Sequence, residues 1–171
     1  MSDTQNPRVR LETSMGGITL ELFKEKAPIT VRNFLTYVKD GFYDGLVFHR
    51  VISNFMIQGG GLDATLTPKK AKFAIKNEAT NGLANKRGTV AMARTNVVDS
   101  ATSQFFINTV DNAFLDNRGK SPDVYGYAVF GEVTGGMEVV DAIRAVKTGN
   151  KAGHSDVPVD PVTIISAKVV A

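Results

Sequence analysis

The sequence contains no cysteine and no tryptophan, and it has only two histidines among its 171 residues. Without cysteine, the chain can form no disulfide, no thiolate metal site and no cysteine nucleophile. His49 and His154 are too few for a histidine-rich metal site, and we expect neither a metal nor another cofactor. No apolar run approaches the roughly 18 residues that a membrane-spanning helix needs, so we expect no membrane insertion.

The beginning of the chain, MSDTQNPRVRLETS, has no apolar segment of the kind found in a secretory signal. The missing cysteines also fit a reducing compartment. We therefore expect a cytoplasmic protein.

Charge of either sign is modest, with 20 Lys and Arg against 17 Asp and Glu and a formal net charge of +3. The densest basic cluster is PKKAKF at residues 68–73, and nothing like it recurs elsewhere. A nucleic-acid-binding protein would concentrate its positive charge and would be retained on DNA or RNA in a strongly salt-dependent way. We interpret the cluster as a solvated loop and do not predict nucleic-acid binding.

The length suits one domain with a substantial core. The sequence shows no internal repeat, linker or low-complexity tract. We predict a single domain over residues 1–171, in which residues 1–7 form a flexible N-terminal extension.

Hydrophobic periodicity locates the secondary structure. A hairpin is predicted over residues 8–23, with Gly16-Gly17 as its turn. Amphipathic helices are predicted over 28–41 and 136–146. Further strands are predicted at 46–52, 55–59, 88–94, 103–109, 126–134 and 162–170, and loops at 59–88 and 111–124. Seven or eight short strands without a βαβ rhythm indicate an antiparallel barrel or sandwich with two helices packed on its ends.

Common catalytic motifs are absent. There is no G-x-S-x-G nucleophile elbow and no G-x-G-x-x-G dinucleotide fingerprint. GKS at 119–121 is no phosphate-binding loop, since Phe114 stands where its first glycine would have to be. His49 is next to Arg50, but alternation places the two on opposite faces of their strand.

One stretch combines core-like and polar residues. FHRVISNFMIQGG, residues 48–60, places Arg50 and Gln58 within apolar strands, although buried arginine is rare unless it is paired. One interpretation is a surface strand with one polar face. The other is an apolar cleft whose wall carries a fixed cation and an amide, suited to a partly apolar ligand. Met56 with Gln58, and Gln104 with Phe106, share strand faces in the same mixed manner.

FHRVISNFMIQGG, GTVAMAR, SATSQFFIN, FLDN and YAVFGEV, in that order, resemble the cyclophilin family over about residues 9–170. The segments NEATNGLANKRGTVAMART and FINTVDNAFLDN are most similar to its compact bacterial members. The resemblance implies a peptidyl-prolyl cis-trans isomerase that assists protein folding. It also implies a mainly β fold, a closed eight-stranded antiparallel barrel capped by two α-helices.

The resemblance also implies roles for individual residues. Arg50 matches the catalytic arginine, which would stabilise the twisted X-Pro amide without covalent chemistry. The pocket for the proline ring and its rim would be formed by Phe55, Met56, Phe106, Leu115, Phe114 and Tyr127. The peptide groove would be lined by Gln58, Ala93, Arg94, Thr95 and Gln104, with residues 93–95 beside the residue that precedes proline.

The chain departs from many eukaryotic members at three of these positions. They carry tryptophan at Phe114, asparagine at Arg94 and histidine at Tyr127. Because that tryptophan helps to bind cyclosporin, we expect weakened cyclosporin binding here. We expect proline-containing peptides and flexible or unfolded protein segments as partners, and a monomer. The alternative to an enzyme is a proline-peptide binding or chaperone module whose catalysis is incidental.

Overall fold

Eight antiparallel strands form one curled sheet in the computed structural model, which describes residues 5–170. The strands are β1 Arg8–Thr13, β2 Gly16–Leu22, β3 Arg50–Ile52, β4 Met56–Gly59, β5 Thr89–Met92, β6 Phe105–Asn108, β7 Val129–Gly135 and β10 Ile164–Val169. Their order across the sheet is β10-β1-β2-β7-β5-β6-β4-β3. The mainly β class, the antiparallel pairing and the strand number agree with the prediction.

Closure of the sheet is less complete than the predicted closed barrel. The edge strands β3 and β10 do not form a ladder with each other. The segments that precede them are joined instead, by a bridge between Val47 and Thr163 and by hydrogen bonds from Phe48 N to Val162 O and from Ile164 N to Leu46 O. The sheet therefore curls into a half-barrel whose edges meet only at this point.

A small hairpin outside the main sheet was not predicted. It consists of β8 Thr148–Lys151 and β9 His154–Pro158. Its sequence is largely polar and exposed, so it lacks the alternation that marks a half-buried strand.

The turn of the first hairpin differs from the prediction. Ser14 and Met15 form the turn, and Gly16 already pairs with Thr13 in the β1–β2 ladder. Thr13 Oγ1 accepts a hydrogen bond from Met15 N at 3.1 Å and donates one to Gly16 O at 2.6 Å. A threonine hydroxyl that bonds its local backbone thus fixes the turn two residues earlier than the glycine pair suggested.

Two α-helices pack on the sheet, as predicted: α1 Pro28–Lys39 and α2 Met137–Arg144. Pro28 occupies the first turn of α1, where its missing N–H has no cost. Glu78, from the long loop before β5, caps this helix by accepting hydrogen bonds from Thr30 N at 2.7 Å and Ile29 N at 3.3 Å. A carboxylate also favours the positive end of the helix dipole. Within residues 5–170, no helix combines the length and the apolar character needed to cross a membrane.

Two apolar clusters lie on opposite sides of strands β4–β7. The larger cluster lies between the sheet and the helices. It is rich in aromatic rings, including Phe34, Tyr43, Phe105 and Phe130. The smaller consists of Met56, Ala91, Phe106, Leu115 and Val129, with Phe55 and Tyr127 packed against it. Because successive strand residues face opposite ways, Ile57 and Ile107 enter the main core while Met56 and Phe106 form the floor of an outer groove.

The predicted N-terminal extension is only partly described. Residues 1–4 lie outside the described residues. Pro7 O accepts a hydrogen bond from Leu22 N at 2.9 Å, and Asn6 Nδ2 donates one to Glu21 Oε2 at 3.1 Å. A flexible extension and a single domain both stay predictions.

Candidate active site

Strand register brings the polar residues of the outer groove together. Arg50 of β3 pairs with Gln58 of β4, and Gln58 pairs with Phe106 of β6. Paired residues in adjacent antiparallel strands point to the same face. The cation, the amide and the aromatic ring therefore project in one row from the groove wall.

A chain of side-chain hydrogen bonds orients the Arg50 guanidinium. Its Nη1 donates to Gln58 Oε1 at 3.3 Å, and Gln58 Nε2 donates to Gln104 Oε1 at 3.0 Å. The guanidinium carbon lies 5.9 Å from the centre of the Phe55 ring. No carboxylate within residues 5–170 forms an ion pair with Arg50. Most of its five N–H donors are consequently available to a ligand.

A cavity of about 130 Å³ with an apolar floor and polar walls adjoins this guanidinium. It is lined by Arg50, Phe55, Met56, Gln58, Ala93, Arg94, Phe106, Leu115 and Tyr127. Met56, Phe106 and Leu115 are buried and form its floor. A small apolar ring could fill the cavity while a polar group next to that ring faces Arg50.

A second cavity of about 160 Å³ continues the groove. It shares Gln58, Ala93 and Arg94 with the first. Its full lining is Gln58, Ala93, Arg94, Thr95, Ser100, Thr102 and Gln104. Ser100 and Thr102 were not predicted as site residues. They lie in an irregular segment, where alternation does not indicate which way a side chain points.

Phe114 is the one predicted residue that lines neither cavity. Its ring stacks on Phe55 with centroids 5.7 Å apart and planes inclined by 26°, and its side chain is 58% exposed. Phe114 therefore stands on the outer rim, as the sequence predicted. Eleven of the twelve predicted site residues line the two cavities, and Phe114 lies at their rim.

Arg94 is held rigidly between the two cavities. Its Nε donates to Gly126 O at 2.9 Å, Nη1 to Thr95 O at 2.9 Å and Nη2 to Pro122 O at 2.8 Å. Its guanidinium also lies 4.8 Å from the centre of the Tyr127 ring, a cation–π contact. Carbonyl oxygens do not neutralise the charge, so the groove wall here is positive.

Buried amides support the groove from behind. Asn112 Nδ2 donates to Phe55 O at 2.9 Å, and Asn85 Nδ2 donates to Leu115 O at 3.2 Å. Asn108 Nδ2 joins them through Asn85 Oδ1 at 3.1 Å. Asn112 and Asn85 bond to backbone carbonyls in loops, a role that no local sequence pattern reveals. They fix the segments that carry Phe55 and Leu115.

His49 does not take part in the groove. It is 7% exposed, its Nδ1 has no hydrogen-bond partner, and its ring faces His154 at 6.4 Å. Burial, with smaller contributions from His154 and Arg50, lowers the pKa of His49 from 6.5 to about 4. The histidine is therefore a neutral packing residue, as its position opposite Arg50 indicated. Among residues 5–170, no three His, Asp or Glu side chains are grouped as a metal site would require.

A family model described as cyclophilin type peptidyl-prolyl cis-trans isomerase/CLD matches residues 8–169. Peptidyl-prolyl cis-trans isomerase cyp18 of Streptomyces antibioticus is 60% identical over 161 residues, covering 94% of this chain and 97% of its own. Peptidyl-prolyl cis-trans isomerase B of Escherichia coli K12 is 53% identical, covering 94% of this chain and 98% of its own.

Solved structures agree with these sequence matches. The crystal structure of a cyclophilin type isomerase from Cryptosporidium parvum superposes with a TM-score of 0.81 at 26% identity, covering 97% of this chain and 98% of that one. A second crystal structure of that protein, in the presence of the dipeptide Ala-Pro, gives 0.80 at 27% identity over 96% and 99%.

Proposed function

This chain belongs to the cyclophilin-type peptidyl-prolyl cis-trans isomerase family, and from that premise we propose that Arg50 and the adjoining cavity carry its isomerase reaction. The enzyme class follows from the family. The roles of the individual residues are our proposal, and its main support is the unneutralised Arg50 guanidinium beside a cavity of about 130 Å³.

The reaction breaks no covalent bond. The peptide bond has partial double-bond character and a rotation barrier of about 18–20 kcal/mol. The two X-Pro isomers differ by only about 0.5–1 kcal/mol, yet they exchange over roughly tens to hundreds of seconds. The enzyme needs only to bind the twisted amide better than either planar form.

Arg50 provides that difference in binding. In the twisted state the amide loses resonance, so the lone pair localises on its nitrogen, which becomes a better hydrogen-bond acceptor. The neighbouring carbonyl oxygen is a second acceptor. A guanidinium held by Gln58 at 3.3 Å requires little reorganisation to donate to either acceptor. Each tenfold in rate corresponds to about 1.36 kcal/mol, so ~4–7 kcal/mol from such contacts would accelerate exchange by roughly 10³–10⁵.

The first cavity holds the other side of the rotating bond. With the proline ring against Met56, Phe106 and Leu115, the ring is fixed while the preceding carbonyl turns. The preceding residue then lies beside residues 93–95, at the junction of the two cavities.

The partners we propose are proline-containing peptides and flexible or unfolded segments of proteins. Only such segments can place a proline in a groove and still rotate about the preceding bond. A monomeric state and a cytoplasmic location stay predictions, which sedimentation analysis and cell fractionation would test.

Exchange NMR on a short Ala-Pro peptide tests the proposal. We expect the wild-type protein to accelerate cis–trans exchange and the Arg50→Ala variant to lose most of this acceleration while keeping its fold. Arg32→Ala, an exposed arginine on α1, is the matched control and should retain wild-type activity. Peptide binding without accelerated exchange in the wild type would favour the alternative, a proline-peptide binding module. Exchange at the wild-type rate with a folded Arg50→Ala variant would refute the assigned role.

A further inference from the structure

Positive charge continues from the second cavity onto the surface beside it. Arg94 is the only charged residue lining that cavity; the others are Gln58, Ala93, Thr95, Ser100, Thr102 and Gln104. Within residues 5–170 no carboxylate forms an ion pair with Arg94. A ligand group entering this cavity therefore meets a cation that no described carboxylate neutralises.

The neighbouring loop adds unpaired lysines and an exposed ring. Residues 64–77 contain four lysines and no acidic residue. Lys69 Nζ bonds Phe42 O at 2.8 Å, and Lys72 pairs with Asp40 at 3.0 Å. Lys70 and Lys76 are exposed and form no ion pair with any residue of 5–170.

The ring in this loop is Phe73, which is 90% exposed and the most exposed large apolar side chain within residues 5–170. An isolated apolar residue at a surface needs no explanation. An aromatic ring between two unpaired lysines, however, combines the apolar and cationic contacts of a recognition surface.

Two residues of this loop, Lys69 and Ile75, bond to backbone next to the wall of the second cavity. Ile75 N donates to Ala101 O at 3.0 Å, and Ala101 lies between the cavity residues Ser100 and Thr102. Lys69 N donates to Gly61 O at 2.9 Å, and the Gln104 side chain packs directly over Gly61. A peptide that leaves the cavity on this side therefore reaches the loop.

We propose that Arg94, Lys70, Phe73 and Lys76 form an accessory surface that binds acidic client segments on the N-terminal side of the proline. This inference rests on the proposed function, because residues 93–95 are placed there beside the residue that precedes proline. An extended peptide advances about 3.3–3.6 Å per residue, so residues further upstream continue past the second cavity toward the loop. Acidic side chains there would pair with Lys70 and Lys76, and an apolar side chain would contact Phe73.

The test compares three peptides of equal length that share a central Ala-Pro. One carries an Asp/Glu run before the alanine, one carries glutamine there, and one carries the acidic run after the proline. At low ionic strength, we expect the upstream acidic peptide to exceed the glutamine peptide in kcat/KM by about three- to tenfold, since rim charges mainly steer association. Added salt should reduce the gain, because exposed charges are screened.

Two matched variants attribute this gain to the loop. K70E/K76E should abolish it, whereas K147E/K168E, which reverses two exposed lysines elsewhere, should lose less of it. Phe73→Ser should reduce the gain when the upstream run includes an apolar residue. A short Ala-Pro peptide should be isomerised equally by all these variants.

Several results would overturn the proposal. One is an equal kcat/KM for the three peptides. Another is an equal gain in kcat/KM when the acidic run follows the proline. A third is an equal loss of the gain in K70E/K76E and in K147E/K168E. A single-stranded oligonucleotide that binds the wild type but not K70E/K76E, with no peptide preference, would make this a nucleic-acid surface and also refute it. Failure of the proposed function itself is distinguishable, since even the short peptide would then show no accelerated exchange.

Discussion

Nη1 of Arg50 lies 3.3 Å from Oε1 of Gln58, its partner across the β3–β4 ladder. Gln58 in turn donates to Gln104, so an amide chain rather than a carboxylate orients the guanidinium. An ion pair would occupy the same N–H groups and neutralise the charge that we propose the reaction uses. The neutral Gln58 amide positions the guanidinium and leaves its charge and its other N–H groups available to a ligand.

Arg50→Lys should lose at least about tenfold in kcat/KM although the charge is kept. A lysine ammonium is a point cation without the planar fork, so it cannot bond Gln58 and the twisted amide together in the same geometry. Exchange NMR with far-ultraviolet circular dichroism as the fold check measures this. Wild-type activity in Arg50→Lys would mean that charge alone suffices.

Gly61→Ala should disturb the second cavity and, through Gln58, the support of Arg50 in the first. A methyl group at residue 61 would occupy the position of the Gln104 side chain, which packs over this glycine. The Gln58–Gln104 hydrogen bond would break, and Arg50 would lose part of its support. We expect kcat/KM to fall by about three- to tenfold, the equivalent of one lost hydrogen bond. Gly149→Ala, where an added methyl group has open space, is the matched control.

The sequence was informative where polar residues interrupt regular strands. Strand alternation placed Met56 with Gln58, and Gln104 with Phe106. The assignment of Arg50, Gln58 and Gln104 to one groove came from the resemblance to the cyclophilin family. Ser100 and Thr102 could not be assigned, since they lie in an irregular segment. The edges of the sheet meet through an isolated bridge and backbone hydrogen bonds, and the β8–β9 hairpin is largely polar and exposed. Neither feature produces a hydrophobic periodicity in the sequence. The half-barrel was predictable in class and strand number, but its edges were not.

Glu78→Ala should lower the free energy of unfolding by about 1–2 kcal/mol. The carboxylate accepts from Thr30 N, Thr30 Oγ1 and Ile29 N, although it lies 48 residues from Thr30 in sequence. Its loss leaves N–H groups of the first turn of α1 without a partner. Urea unfolding of Glu78→Ala beside Glu138→Ala, an exposed acid in the first turn of α2, measures the difference. Equal stability of the two variants would refute the cap.

His49 should make the protein less stable in mild acid. Its pKa is lowered from 6.5 to about 4 in the folded state, mainly by burial. Between these values the unfolded chain binds a proton that the folded chain does not, so stability falls as the pH drops through this window. From pH 7.5 to 5 the loss is about 2 kcal/mol for this one group. Urea unfolding at both pH values should show a smaller loss for His49→Gln than for the wild type. If both lose stability equally, the buried histidine is not the cause.

Phe114→Trp should strengthen cyclosporin binding, which we expect to be weak in the wild type. The Phe114 ring stacks on Phe55 at 5.7 Å and is 58% exposed, so the rim has room for a larger ring. An indole adds apolar contact area and an N–H donor that phenylalanine lacks. We expect Kd to fall about tenfold, which corresponds to close to 1.4 kcal/mol. Isothermal titration calorimetry on the wild type, Phe114→Trp and Phe73→Trp separates an effect at the rim from that of an added tryptophan elsewhere. Tight binding by the wild type would show that the groove compensates for the missing indole, and an unchanged Kd in Phe114→Trp would show that the drug does not contact this rim.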